Sequence, residues 1–244
     1  MFNKIFCVSD NDYRQIKMNI SNDKIYKIGN PRYDRILNNL ENVEYKLDLS
    51  LKDEGNILIF ASMWDEDNKI IFEKFINSPL VNRFEKVIIV PHEVNDYYLN
   101  YYCSVLEDND FSFKKINQYQ NFNQFDEKYI IINKVGFLSK LYAQSTIAYV
   151  GGGFSKSGIH NIIEPAAASN PVIFGSNFLN SNKSDAEGLI GFSGGFSVDS
   201  YELFTEKINW LLDKNNYNNS SKNCKSFVSE NSGSTEKILK ELYE

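Results

Sequence analysis

The sequence predicts an α/β protein built on a doubly wound, mostly parallel sheet of the Rossmann-like type. Short apolar runs rich in Val and Ile alternate with longer amphipathic segments. Several of the runs are apolar on both faces, which is typical of parallel strands covered by helices on both sides. A repeated order of strand and helix indicates such a sheet. The 244 residues, 42% of them hydrophobic and 24% charged, are enough to bury a core without covalent staples.

The apolar runs predict nine strands, at 4–9, 24–29, 56–62, 86–91, 111–116, 128–133, 146–152, 171–176 and 196–200. Apolar residues at helical spacing predict helices at 65–78, 95–109, 136–145 and 201–215. The closing "SGSTEKILKELYE" predicts a capped helix, whereas the Asn-rich segment 215–223 predicts a solvated loop.

These elements suggest three parts. Residues 1–55 form remnant strands and a helix that lead into the domain, residues 56–215 form the Rossmann-like domain, and residues 216–244 form a helical tail.

Composition narrows the class of function. The net charge of −6 and the lack of a basic run argue against a nucleic-acid surface. Cys7, Cys103 and Cys224 are odd in number and far apart, which favours a reducing compartment over a disulfide framework. No metal motif or cofactor motif is evident. Neither a signal segment nor an 18-residue apolar window occurs, so we expect a cytoplasmic protein, with peripheral membrane contact left open.

The stretch 149–165, "YVGGGFSKSGIHNIIEP", is the first candidate ligand site. Glycines after a strand let a ligand approach the main chain, and the sequence predicts a helix beginning near residue 159 or 160, whose free N–H groups attract anions. His160 and Asn161 would donate to a phosphate, and Glu164 would accept from ribose hydroxyls. The alternative is a tight glycine turn with a surface histidine.

Three other strand ends carry polar or turn residues. Ser62 and nearby N–H groups in "FASMWDEDNK" would hold an anion, or the segment is a simple helix cap. His92 follows Pro91 in "VIIVPHEVND" and is either a ligand donor or a surface residue. Gly136 in "INKVGFLSKLYAQS" forms a turn that would present main-chain groups to a base.

Together these stretches resemble the 3-deoxy-D-manno-octulosonic acid (Kdo) transferases of lipopolysaccharide synthesis. The likeness runs from about residue 4 to about residue 200, through "GNPRYDRI", "ASMWDED", "PHE" and "GGFSV", and is strongest over 132–176. The resemblance implies an inverting glycosyltransferase with two Rossmann-like domains facing a cleft (GT-B). It also implies that the chain corresponds to the carboxyl-terminal half, which binds the donor CMP-Kdo, so that residues 56–215 are the nucleotide-sugar domain.

The family motifs also imply the residues that hold CMP-Kdo. They are Ser62, Trp64, Pro91, His92, Glu93, Gly136, Gly151, Gly152, Gly153, His160, Asn161 and Glu164. The resemblance places Glu164 on the ribose and the helix start near the phosphate. No metal is implied, and the catalytic residues stay unknown, because the general base of the family lies in the amino-terminal half.

The chain departs from the family pattern at several points. Ala61 replaces a glycine, Met63 replaces a threonine, and Asn182–Ala186 matches a Lys-Phe-x-Glu-Ala segment only weakly. The acceptor site for the lipid A precursor and the membrane-associating surface belong to the family's first half, for which this sequence shows no equivalent. The alternatives are another nucleotide-sugar GT-B protein (a UDP-sugar transferase or epimerase), a module that binds CMP-sugar without transferring it, and a fold kept only for interaction.

Overall fold

A seven-stranded parallel sheet forms the centre of the molecule. The computed structural model describes residues 3–20, 24–44, 55–121, 124–179 and 182–243. In space the strands run β5-β6-β4-β3-β7-β8-β9, and every neighbouring pair is parallel. The strands are β3 (Ile57–Met63), β4 (Lys86–Pro91), β5 (Phe113–Ile116), β6 (Tyr129–Ile132), β7 (Ile147–Val150), β8 (Val172–Gly175) and β9 (Gly195–Val198).

Both faces of this sheet are buried, because alternate side chains of each strand point into different apolar clusters. In β3, Leu58 and Phe60 enter one cluster, and Ile57 and Ile59 enter another. The central positions of the strand are fully inaccessible to solvent. The continuous apolar runs in the sequence are therefore the direct consequence of double coverage.

Helices cover the two faces of the sheet. They are α3 (Asp65–Asp67), α4 (Glu73–Ile76), α5 (Asp96–Glu107), α6 (Leu138–Leu141), α7 (Ile163–Ala167), α8 (Lys183–Gly191), α9 (Tyr201–Leu211) and α10 (Lys214–Glu230). A π-helical turn at Asn68–Phe72 joins α3 to α4, and 3₁₀ turns lie at Pro79–Arg83 and Tyr142–Gln144.

A second, two-stranded parallel sheet precedes the main sheet. It consists of β1 (Ile5–Cys7) and β2 (Ile25–Lys27), which are joined through α1 (Asp10–Asn19). The chain then enters α2 (Arg32–Glu41), which packs against α7. The last helix, α11 (Ser234–Tyr243), returns to this part, since Ser234 Oγ donates to Ile28 O and Lys4 pairs with Glu241.

The predicted fold class is confirmed: the protein is a doubly wound, parallel, Rossmann-like α/β structure. Each of the nine predicted strands overlaps an observed strand. The division into 1–55, 56–215 and 216–244 stays a prediction, and α10 spans its second boundary.

The predicted loop at 215–223 is wrong, because this segment lies inside α10. The Asp213 side chain accepts from the N–H groups of Asn215 and Asn216 and starts the helix. Tyr217, Cys224 and later apolar residues recur at helical spacing and are buried. Tertiary packing of this stripe outweighs the low helix propensity of the asparagines.

The order of strands places a topological switch point between β3 and β7. From β3 the chain proceeds to β4 and then to the edge strand β5, and it comes back to β6 between β5 and β4. It then crosses to β7 and continues to β9 on the other side. Ligands of open α/β sheets bind outside the carboxyl ends of the strands at such a point. The segments after β3 and β7 are therefore where a ligand site is expected.

Candidate functional site

Three aromatic side chains from different strand ends meet at this switch point. Trp64 follows β3, His92 follows β4, and His160 lies in the loop after β7. The Trp64 and His92 rings stack with centroids 3.9 Å apart and planes 19° apart. The centroids of the two histidine rings are 4.5 Å apart. Trp64 Nε1–H donates to His160 Nε2 at 2.8 Å. Residues 96 positions apart are thus joined in one cluster, here called the Trp–His cluster.

The surroundings of both histidines favour the neutral form of the imidazole. Burial lowers the pKa of His160, and His92 beside it lowers that pKa further. Burial also lowers the pKa of His92, while the charge of Glu93 acts in the opposite direction. The two imidazoles are therefore neutral near pH 7, and they act as hydrogen-bonding groups rather than as fixed positive charges.

A fully buried carboxylate, Asp67, ties the two sides of the switch point together. Its Oδ2 accepts from Trp64 N–H at 3.1 Å and from Gly152 N–H at 2.8 Å, and its Oδ1 accepts from the Tyr149 hydroxyl at 2.6 Å. Burial raises the pKa of Asp67, and these three donors lower it. Asp67 thereby fixes the turn after β3 against the glycine loop after β7.

The glycines after β7 are buried against the protein's own main chain. A Cβ on Gly151 would lie 2.4 Å from Ser62 O, and one on Gly153 would lie 2.5 Å from Gly175 Cα. The glycine loop is therefore explained first by close packing of loops on β3, β7 and β8. Contact of Gly151, Gly152 and Gly153 with a ligand stays a prediction.

The helix after this loop begins later than predicted. The sequence predicted a start near residue 159 or 160, whereas α7 begins at Ile163 and has five residues. The Asn182 side chain donates to the carbonyls of Ile159 and His160, and the Asn161 Oδ1 accepts from Ile163 N–H at 3.0 Å. These side-chain bonds hold 159–161 outside the helix. His160 and Asn161 thus lie in a loop before α7, and the predicted helix start at His160 is wrong.

Glu164 is the second carboxylate of the region. Its Oε1 accepts from the Asn161 amide at 2.8 Å, and it lines a small cleft with Asn39 and Ser139. Burial raises the pKa of Glu164, whereas the Asn161 hydrogen bond and the charges of Arg35 and Arg32 lower it. A half-buried carboxylate that borders a cleft retains oxygen lone pairs for further donors.

The remaining predicted residues are spread along the same edge. Ser62 has a left-handed backbone (φ 55°) where the pairing of β3 with β4 shifts register. Pro91 is the buried last residue of β4, and the His92 N–H donates to Met63 O at 3.0 Å. Glu93 is exposed and accepts from Asn95, and Gly136 is exposed with φ 93°. The structure thus joins Trp64 to both histidines and Asn161 to Glu164, whereas Glu93 and Gly136 lie at the rim.

Two polar groupings were not predicted from the sequence. The sequence placed Asp67 only within the predicted helix at 65–78, and its position three residues after Trp64 was the available signal. The other grouping joins α2 to α8: Asp185 Oδ1 accepts from the Tyr33 hydroxyl at 2.8 Å, and Asp185 Oδ2 accepts from Arg32. Asp185 is buried, so this residue of the segment 182–186 stabilises the packing of α2 against α8.

Over the ranges that the structure describes, every helix falls short of the length and hydrophobicity needed to span a bilayer.

The chain is similar in sequence to known glycosyltransferases. No protein-family model matches the chain. It is 27% identical over 244 residues to the Kdo transferase of Chlamydia trachomatis, covering 97% of the chain and 55% of that protein. It is also 27% identical over 224 residues to a bifunctional glycosyltransferase/methyltransferase of Fusobacterium nucleatum, covering 89% of the chain and 33% of that protein. The chain therefore spans about half the length, or less, of these relatives.

A solved structure shares the fold of this chain. The C-terminal CMP-Kdo binding domain of WaaA from Acinetobacter baumannii superposes with a TM-score of 0.60 at 15% identity, covering 81% of the chain and 98% of that domain. At this identity the match speaks to the fold. The sequence comparison confirms that this chain resembles the Kdo transferases over nearly all of its length, and the superposition shows that it shares the fold of the C-terminal domain of WaaA.

Proposed function

We propose that this chain is the donor-binding half of an inverting GT-B glycosyltransferase that transfers Kdo from CMP-Kdo to a lipid A precursor. The observation that carries the proposal is the Trp–His cluster, which brings three residues of the family motifs together at the switch point of the sheet. Residues 56–215 are then the nucleotide-sugar domain.

In this proposal six of the twelve predicted residues are assigned to different parts of CMP. Glu164 accepts from the ribose hydroxyls through the lone pairs that Asn161 does not use, and the exposed turn at Gly136 faces the cytosine. His160 and Asn161 donate to the phosphate from the loop after β7, with Ser62 and His92 beside them. Charge-assisted hydrogen bonds of this kind orient a phosphate even when the donors are neutral.

The chemistry follows from that placement. An acceptor hydroxyl attacks the anomeric carbon of Kdo, and a carboxylate from an amino-terminal domain takes its proton. The bond between the anomeric carbon and the phosphate oxygen breaks, and CMP leaves with the electron pair, stabilised by the fixed donors at its phosphate. This chain binds the donor. The amino-terminal domain provides the acceptor-binding site, the general base and the peripheral contact with the cytoplasmic face of the inner membrane.

Calorimetry with CMP tests the proposal. We expect saturable binding of CMP, weakened in Glu164→Ala and in His160→Ala by about 1.5–3 kcal/mol each, because each removes a hydrogen bond to a charged group. Glu206→Ala is the matched control, since Glu206 is an exposed carboxylate of α9 that pairs with Lys207 and lies outside the twelve predicted residues. Unchanged affinity in both test variants would contradict the assigned site.

The same titration separates the alternatives. Tighter binding of UMP than of CMP would favour a UDP-sugar enzyme. Binding of CMP without turnover of CMP-Kdo, even with an amino-terminal domain added, would favour a non-catalytic binding module. Undetectable binding at millimolar CMP would leave a fold kept for interaction.

A further inference from the structure

The hydrogen bond between Trp64 and His160 determines where the imidazole carries its proton. The indole Nε1–H is a donor only, and it lies 2.8 Å from His160 Nε2. Nε2 must therefore be the accepting nitrogen, so the proton of a neutral ring resides on Nδ1. A cationic ring would place two N–H groups against each other.

Both partners of this bond are held in place by other contacts. The main-chain N–H of Trp64 donates to Asp67 Oδ2, and His92 stacks on the face of the indole ring. The main-chain N–H of His160 donates to Gly151 O at 3.2 Å, and the main-chain carbonyl of His160 accepts from the side-chain amide of Asn182. Asp67 also accepts from the Gly152 N–H. One carboxylate therefore joins the turn that carries Trp64 to the loop that carries His160. The relative position of the rings is therefore built into the fold.

We propose that Trp64 is a positioning residue that holds His160 as the neutral Nδ1–H tautomer, so that Nδ1–H is the single donor that His160 offers to the donor substrate's anionic group. This rests on the proposed function for the identity of that group, the phosphate of CMP. Within the described residues, Nδ1 has no hydrogen-bond partner, which leaves it for a ligand. Trp64 then acts through His160 rather than by contact with the substrate.

The tautomer is measurable without any ligand. The chain contains only two histidines, so a long-range ¹H–¹⁵N spectrum of the histidine side chains shows two spin systems, and His92→Gln assigns them. We expect His160 to show a protonated Nδ1 and an accepting Nε2 at pH 7.5. A protonated Nε2 on His160 in the wild-type protein would overturn the proposal.

Two tryptophan variants complete the test. Trp64→Phe keeps a ring to stack on His92 but removes the donor, so His160 should lose its Nδ1–H preference, and CMP affinity should fall about tenfold, as expected for a misdirected bond to a charged group. Trp210→Phe is the control, because Trp210 packs on Phe196 at β9, and it should change neither result. An Nδ1–H tautomer that persists in Trp64→Phe would contradict the proposal.

The outcomes for the two proposals are distinct. If wild-type His160 is the Nδ1–H tautomer and CMP does not bind, the positioning role of Trp64 stands and the proposed function fails. If CMP binds and His160 carries its proton on Nε2, the proposed function stands and the positioning role fails.

Discussion

The two carboxylates near the switch point, Asp67 and Glu164, have opposite surroundings. Asp67 is fully buried, and its two oxygens accept three hydrogen bonds from the protein. Glu164 is half-buried at a cleft and accepts one bond, from Asn161. A carboxylate whose two oxygens both accept hydrogen bonds from the protein stabilises the fold. A carboxylate with unused lone pairs can still accept hydrogen bonds from a ligand. Burial alone would not have separated the two roles, because it raises the pKa of both groups.

The largest expected effect is on Asp67. Asp67→Ala should lower the free energy of unfolding by on the order of 4 kcal/mol, because two buried donors and one partly buried donor lose their acceptor. Urea denaturation measures the loss. Glu66→Ala, at the exposed neighbouring position, is the control and should stay within about 0.5 kcal/mol of the wild type. If Asp67→Ala were as stable as that control, the account of Asp67 as the internal carboxylate would be wrong.

A smaller loss is expected where the glycine loop meets β8. Gly153→Ala should cost about 2–3 kcal/mol, because the new Cβ would overlap the Gly175 main chain, which cannot rotate away. Gly191→Ala in α8 meets no atom within 4 Å and should be neutral or slightly stabilising. Thermal unfolding of both variants gives the comparison. Equal melting temperatures would show that the loop has room, as a ligand cradle requires.

The pH dependence of Glu164 sharpens the contrast with Asp67. Its folded pKa is raised from 4.5, so the stability that it contributes is complete below that value and is lost as pH rises through the folded pKa. Glu164→Gln has no carboxylate to ionise, so it lacks this loss. The unfolding free energy of the variant should therefore increase relative to that of the wild type as pH rises from 4.5 through the folded pKa of Glu164. A difference between the two proteins that is constant with pH would contradict the raised pKa.

The histidines should produce the smallest effect, with the opposite sign. The folded pKa values of His92 and His160 are lowered from 6.5, so stability is present above pH 6.5 and is lost as pH falls through the folded values. His160→Gln should flatten this part of the stability profile. A profile that is level below pH 6.5 in the wild type would argue against two half-buried neutral imidazoles.

The sequence contains enough information for the sheet but not for the contacts that organise the site. Strands such as Ile57–Met63 were predictable because burial on both faces leaves a continuous apolar run. Helix α10 was not, since its apolar stripe lies within an Asn-rich segment and tertiary packing decides its conformation. The predicted site residues were found from strand ends and from family motifs. Asp67 and the bond from Trp64 to His160 depend on a register between distant segments that spacing along the chain does not reveal.

The most direct test of the central claim, that a cytidine nucleotide binds at the Trp–His cluster, is a CMP titration followed by the two indole N–H resonances. The chain has two tryptophans, and only Trp64 lies in the cluster. We predict a saturable shift of the Trp64 resonance with the Trp210 resonance unchanged. A Trp64 resonance that does not move at millimolar CMP, or that moves no more than that of Trp210, would contradict the account.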